Sequence, residues 1–128
     1  MTQAFRFFLQ APVWAYQSLG IDAQYRPVND IQVQGKKISG NGAATTADGV
    51  FVLCGNIISS FDYEKMVKVL KVPSEKFRDK AYRTLKEYLS TASAELGREV
   101  TLDEAKKALK DGFERLLGEE LKPGSLTL

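Results

Sequence analysis

From residue 3 to residue 20, apolar side chains recur at three- and four-residue spacing. Phe5, Phe8, Leu9, Tyr16 and Leu19 fall on one face, and the spacing predicts a helix. Pro12 lies inside this stretch and lacks the N–H that an interior turn needs, so a kink or a fresh turn is expected there. Gly20 suits a C-terminal stop. Trp14 and the phenylalanines follow the same face, which assigns them to the core rather than to a stacking platform. The period then changes to two. A strand is expected at 22–28, ended by Pro27 and the Asn29-Asp30 pair. Over residues 29–42, Ile31, Val33 and Ile38 alternate with polar partners, and Gly35 stands where the chain must reverse with a positive φ: a hairpin. Gly40-Asn41-Gly42 reads as a second, Gly-rich turn. The apolar run from Val50 to Ile58, entered through Asp48-Gly49, predicts a strand buried on both faces at the centre of a sheet.

Beyond residue 60 the helical period returns. Asp62 can cap a helix whose stripe is Tyr63, Met66, Val67 and Leu70. Pro73-Ser74 punctuates, with Ser74 offered as the cap of a segment running to Leu96. Its apolar positions are Phe77, Ala81, Leu85, Tyr88, Leu89 and Ala92, and Gly97 closes it. Thr101-Leu102-Asp103-Glu104 has the spacing of a capping box, and Ala105, Ala108, Leu109, Gly112, Phe113 and Leu116 carry one face on to Gly118. Lys122-Pro123-Gly124-Ser125 reads as a loop. One helix, three or four strands and then three helices, grouped in blocks, predict an α+β fold: a small, mainly antiparallel sheet with flanking helices. At 128 residues this is one domain, with a helix plus the strands in 1–60 and a helical part in 61–128.

Composition narrows the chemistry. With 44% hydrophobic and 27% charged residues the chain is an ordinary globular one, and its net charge of +2 is no nucleic-acid footprint. The lone Cys54 excludes an internal disulfide and fits a reducing cytoplasm; its apolar surroundings predict a buried, inert thiol. There is no histidine, which removes Ser-His-Asp and Cys-His catalysis and every His-based zinc site. No apolar run approaches the roughly 20 residues of a membrane span, and the N-terminus lacks a signal-peptide pattern. What remains is the hairpin. An acid, two lysines and a Gly-rich turn with free N–H groups point to a phosphate or adenylate site, although turns of Asn, Asp, Gly and Lys also arise for purely structural reasons.

Asn29-Asp30-Ile31, a hydrophobic strand and then Gly35-Lys36-Lys37-Ile38-Ser39-Gly40 resemble the lysine-bearing motif of the lipoate–protein ligases. That group belongs to the biotin/lipoate ligase family, whose catalytic fold is similar to that of class II aminoacyl-tRNA synthetases. Leu19-Gly20-Ile21-Asp22-Ala23, Arg26 in its strand and Phe61-Asp62-Tyr63-Glu64 continue the match. Val72-Pro73-Ser74-Glu75-Lys76-Phe77-Arg78-Asp79-Lys80 and Glu95-Leu96-Gly97-Arg98-Glu99-Val100 are similar to archaeal-type members, so the resemblance covers nearly the whole chain. It implies a two-step reaction. ATP, with Mg2+, and lipoate or octanoate give an acyl-adenylate, which then acylates a lysine on the carrier domain of a 2-oxoacid dehydrogenase or glycine-cleavage protein. Lys37 takes the place of the family lysine that contacts the acyl carbonyl and the α-phosphate, where a fixed cation stabilises charge in both steps. Asn29 and Asp30 match the nucleotide-side pair, with Asp30 the candidate for magnesium. Ser39, Gly40, Asn41, Gly42 and Gly55 complete the implied nucleotide- and acyl-binding set. Lys36 falls on the opposite face from Lys37 in a regular strand and is assigned to solvent.

Family catalytic domains carry an upstream Arg-Arg-x-x-Gly-Gly-Gly-type segment, and nothing in residues 1–28 resembles it. The resemblance therefore implies part of a ligase domain that works with a complementary chain. Cys54-Gly55-Asn56 stands where many relatives have His-Gly-Thr or His-Gly-Ser. A biotin–protein ligase motif resembles Lys-Trp-Pro-Asn-Asp and then Lys-Ile-Gly-Gly-Ile-Leu; Arg26-Pro27-Val28 before Asn29 and Asn41-Gly42-Ala43-Ala44 after Gly40 favour lipoate. Two further expectations stand beside the enzyme: a binding module for nucleotide, acyl group or carrier protein without turnover, and an inactive fragment whose exposed sheet edge drives homo-oligomers.

Overall fold

The helix expected over 3–20 divides at Leu9. In the computed structural model, which describes residues 2–70 and 74–125, α1 (Thr2–Phe8) ends there and α2 (Gln10–Ser18) begins. Pro12 thus occupies the first turn of α2, where its missing N–H removes no intrahelical bond. Gly20, at φ +96°, turns the chain into β1 (Gln24–Arg26). β2 (Asp30–Val33) and β3 (Lys36–Gly40) follow, joined by the two residues Gln34 and Gly35, both at positive φ, as a tight hairpin requires. The three strands form one antiparallel sheet in the order β1-β2-β3.

Gly40-Asn41-Gly42 is not a turn. Only Asn41 separates β3 from β4 (Gly42–Thr45), which pairs with β5 (Phe51–Cys54) in a separate two-stranded sheet. Thr46–Val50 makes the return, with Gly49 at φ +87°. The run Val50–Ile58 therefore supplies an edge strand, not a central one, and β5 spans only four of its residues. Cys54, expected to be buried, is exposed at its end. An apolar run signals that a strand is to be covered; here Phe51 stacks on Phe8 of α1, while Val52 and Cys54 on the other face stay exposed.

Four helices follow instead of three: α3 (Tyr63–Val69), α4 (Glu75–Tyr88), α5 (Ala92–Leu96) and α6 (Leu102–Leu117). The segment expected to run unbroken to Leu96 opens at Leu89-Ser90, where the backbone leaves the helix to bridge β3 and Ser90 N–H donates to Lys37 C=O at 2.9 Å. Local caps behave as their chemistry dictates. Asp62 accepts from Lys65 N–H, Thr91 from Ala94 N–H and Thr101 from Glu104 N–H, while Gly97 and Gly118 close α5 and α6 in the left-handed conformation. The capping box is only half made, because the Glu104 carboxylate turns to Arg98. Ser74 makes no side-chain cap, and Pro73 lies outside the described residues. α4 buries none of its residues; Phe77 and Tyr88, expected on a packed face, are exposed.

The core gathers between α2, the three-stranded sheet and α5–α6, around Tyr16, Ile21, Ile31, Ile38, Val100 and Ala105. α2 and α6 approach so closely that a Cβ on Gly112 would lie 2.4 Å from Ala11 O. Trp14 is only half-buried, stacked under the Arg115 guanidinium at 3.9 Å.

Candidate functional site

A register defect in the β2–β3 hairpin sets the site. Asp30 pairs with Gly40 and Ile31 with Ser39, but Gln32 pairs with Lys37, so Ile38 is an extra residue and β3 bulges there. In a regular strand Lys37 and Gly40, three residues apart, would face opposite ways. The bulge brings them to the same face, beside Asp30, and lets the consecutive Ile38 and Ser39 both be buried. It also removes the Ile38 carbonyl from the ladder. The buried Tyr16 hydroxyl satisfies that carbonyl at 2.7 Å and accepts from Ile58 N–H at 3.1 Å. Burial pushes the Tyr16 hydroxyl far above the ordinary phenol range, against a smaller lowering by the Ile58 N–H, so it stays protonated and keeps donating.

On the shared face the Lys37 ammonium lies 2.6 Å from Asp30 Oδ1, and Arg26 Nη2 lies 2.9 Å from Oδ2. The Lys37 stem runs over Gly40, where a Cβ would sit 3.0 Å from Cε and 3.1 Å from Nζ. Burial raises the Asp30 carboxyl, but hydrogen bonds and charge from Lys37 and Arg26 outweigh it and hold the group below the ordinary carboxylate range. Lys36 stands exposed at the turn.

Beside this cluster the two asparagines lock together. Asn41 Nδ2 donates to Asn29 C=O at 2.8 Å and Asn29 Nδ2 to Asn41 C=O. The Asn41 side chain fits only because residue 55 is glycine: a Cβ there would fall 2.0 Å from Asn41 Oδ1. Ser39 is turned inward, donating to Asn56 C=O at 2.6 Å, and Asn56 Oδ1 lies 3.4 Å from Gly40 N. Hence the structure brings Asn29, Asp30, Lys37, Gly40, Asn41 and Gly55 together, gives Ser39 a buried position behind them, and leaves Gly42 in β4. Three further residues shape the site without having been singled out for it: Arg26, Asn56 and Tyr16. Arg26 had a signal, since a cation four residues before Asp30 pairs with it once β1 and β2 are adjacent; the other two act only through tertiary contact.

Two clefts elsewhere, one between α3 and α4 at Lys68, Arg78 and Tyr82 and one at the start of α6 at Ser93, Thr101 and Lys106, share no residue with the cluster. Among the described residues no three His, Cys, Asp or Glu side chains come together to hold a metal, and Asp30 already faces two cations. This donor set does not fit a resident magnesium ion.

The family model for the lipoyl protein ligase A/B catalytic domain matches residues 1–114. The chain belongs to that family. It is 30% identical to an octanoyltransferase LipM from Kyrpidia tusciae, over 99% of this chain and 54% of that protein. It is 28% identical to lipoate-protein ligase A subunit 1 from Thermoplasma acidophilum, over 99% of this chain and 51% of that one. Among solved structures, the bipartite lipoate protein ligase of an archaeal lipoylation system from Thermoplasma acidophilum, studied with its E2 lipoyl domain, superposes with a TM-score of 0.85 at 30% identity, covering 98% of this chain and 49% of that one. A lipoate-protein ligase A bound with ATP gives 0.77 at 26% identity, over 99% and 50%. The ligase-family chain thus spans about half the length of the relatives it matches, and its α+β fold of helices around small antiparallel sheets is the fold of that half.

Proposed function

We propose that this chain is the lysine-bearing half of a lipoate–protein ligase. Together with a complementary half it activates lipoate or octanoate with magnesium ATP, releasing pyrophosphate, and transfers the acyl group from the adenylate to the lysine of a lipoyl carrier domain, releasing AMP. The carrier belongs to a 2-oxoacid dehydrogenase or a glycine-cleavage protein. The observation that carries this reading is the Lys37 ammonium, held beside Gly40 on a partly open sheet face, in a chain whose family handles lipoyl groups.

The chemistry asks for a cation fixed near both reacting centres. As the carboxylate attacks the α-phosphorus, charge builds on the phosphoryl oxygens; as the carrier amine attacks the mixed anhydride, it builds on the acyl oxygen and the C–O bond to AMP breaks. Lys37 reaches such an oxygen by exchanging Asp30 for it. Arg26, on the other carboxylate oxygen, keeps Asp30 paired when that exchange happens, so no buried charge is stranded. Asn29, Asn41 and Gly40 form the wall next to the lysine and give the nucleotide side its shape.

A second reading is favoured by the names of the octanoyltransferase relatives: transfer of an octanoyl group from one carrier to another without ATP. One experiment separates them. The chain reconstituted with a complementary half is given an apo-lipoyl domain and either octanoate with magnesium ATP or an octanoyl carrier without nucleotide. Pyrophosphate release with acylation in the first mixture supports the ligase. Acylation only in the second replaces it with transfer. Calorimetric binding of magnesium ATP or of lipoyl-adenylate with no acylation in either mixture leaves a binding module.

A further inference from the structure

Among the described residues no strand pairs with the outer edge of β5, the last strand of the two-stranded sheet. No charged residue stands between Gly49 and Phe61, and no proline or lysine interrupts the edge, the usual devices that keep such an edge from pairing. The other sheet manages its edges. β1 is three residues long and carries Gln24 and Arg26, and β3 is covered where Leu89-Ser90 bridges Lys37. β5 is also apolar on both faces. Val50 is 54% and Val52 48% exposed, with Ala44 across from Val52, while Phe51 on the other face stacks on Phe8 at 6.0 Å. A two-stranded ribbon of this composition is marginal in water by itself.

The comparisons supply an occupant of the right size. This chain matches 49% of the archaeal ligase structure and 51% of the ligase subunit, so a remainder about as large as the chain itself must attach somewhere in those proteins. We propose that the β4–β5 ribbon is the docking edge for that other half of the family domain, which adds a strand to the free edge of β5 and covers Val50 and Val52. This rests on reading the chain as one half of a ligase. It also places the joint next to the site, because Gly55, against which Asn41 packs, directly follows β5.

The test co-expresses the full chain with the half of the Thermoplasma acidophilum ligase subunit that it does not match, followed by co-purification and hydrogen exchange. The expected result is a one-to-one complex in which the Phe51–Cys54 amides exchange at least tenfold more slowly than in the chain alone. Val52→Lys, at a half-exposed position, reduces the recovered complex at least tenfold with unchanged circular dichroism and melting temperature, while Val52→Thr retains it. A complex without protection at 51–54, and indifferent to Val52→Lys, overturns the docking edge and leaves the split-ligase reading standing. A dimer of the chain that Val52→Lys dissolves, with no binding of the other half, makes a second copy the occupant and overturns the proposal; no complex of either kind overturns it too. A complex joined at β5 that neither activates nor transfers octanoate overturns the functional reading alone.

Discussion

Gly55→Ala is a single methyl placed where it cannot fit. Its Cβ would meet Asn41 Oδ1 at 2.0 Å and Cγ at 3.1 Å, so the Asn41 side chain has to leave its seat. Leaving breaks the 2.8 Å bond to Asn29 C=O and the weaker Ser39 contact at 3.4 Å, and strands polar groups at a residue only 8% exposed. Each stranded group costs about 1–3 kcal/mol, which puts the substitution at about 2–4 kcal/mol. For a domain of this size that is a fall of roughly 6–15 °C in Tm. Asn41→Ala alone loses the same bonds but not the clash, and should cost about 1–2 kcal/mol. The decisive number is the cycle. With Asn41 already truncated, the methyl at 55 has room, so Gly55→Ala should add less than about 0.5 kcal/mol, a coupling well above the scatter expected for independent sites. Gly42→Ala is the control: its Cβ would find Cys54 Sγ at an ordinary 3.6 Å and its φ is not positive, so stability should hold or rise slightly. Urea unfolding followed by circular dichroism reads all four variants. An equal cost of Gly55→Ala with and without Asn41 would refute the steric account.

Tyr16→Phe keeps the ring and removes the hydroxyl that serves Ile38 C=O and Ile58 N–H; chemical denaturation should show a loss of about 2–4 kcal/mol, and a loss under about 0.5 would mean water replaces it. Asp30 is held below its ordinary pKa, so its pairing stabilises the fold fully above about pH 4 and is lost as the pH falls through the lower folded-state value. The stability gap between wild type and Asp30→Asn should therefore hold at neutral pH and close as the pH falls below the ordinary carboxylate range, and a gap that ignores pH would rule out the ion pairs as its source. In the reconstituted enzyme Lys37→Ala should lower kcat by about 10²–10³, as for a lost oxyanion donor, with Lys36→Ala near wild type; equal effects would sink the assignment. Gly112→Ala drives a methyl to 2.4 Å from Ala11 O, and parting α2 from α6 should cost about 1–3 kcal/mol by thermal unfolding.

Features written in one or two neighbouring residues were legible in the sequence. Asp62, Thr101, Gly97, Gly118 and Gly35 act within a few positions of themselves, so their residue type almost dictates their geometry. Lys37 and Asp30 were legible as a pair of candidates, but their 2.6 Å contact was not, because it depends on the extra residue at Ile38, which carries no compositional mark. The position of β5 is hidden in the sequence for a different reason. An apolar run records that a strand is to be covered and not what covers it, so a central strand and an uncovered edge look alike. The residue types of Gly40-Asn41-Gly42 permit a turn, yet the asparagine lock and the start of β4 keep the chain in strand on either side of Asn41. The same ambiguity applies to α4, whose Phe77 and Tyr88 follow a helical stripe but remain exposed.

The bulge at Ile38 bears on how the motif could be moved to another protein. A designer who copies Lys37-Ile38-Ser39-Gly40 onto a regular hairpin transplants the letters but sends the amine and the glycine to opposite sides of the ribbon. The functional unit is larger and discontinuous: four strand residues, one defect in the pairing, and a phenol arriving from a helix twenty-two positions earlier to cap the carbonyl that the defect sets free. A graft that leaves out Tyr16 invites the strand to slip back into regular register, and with that slip the lysine turns away from its acid.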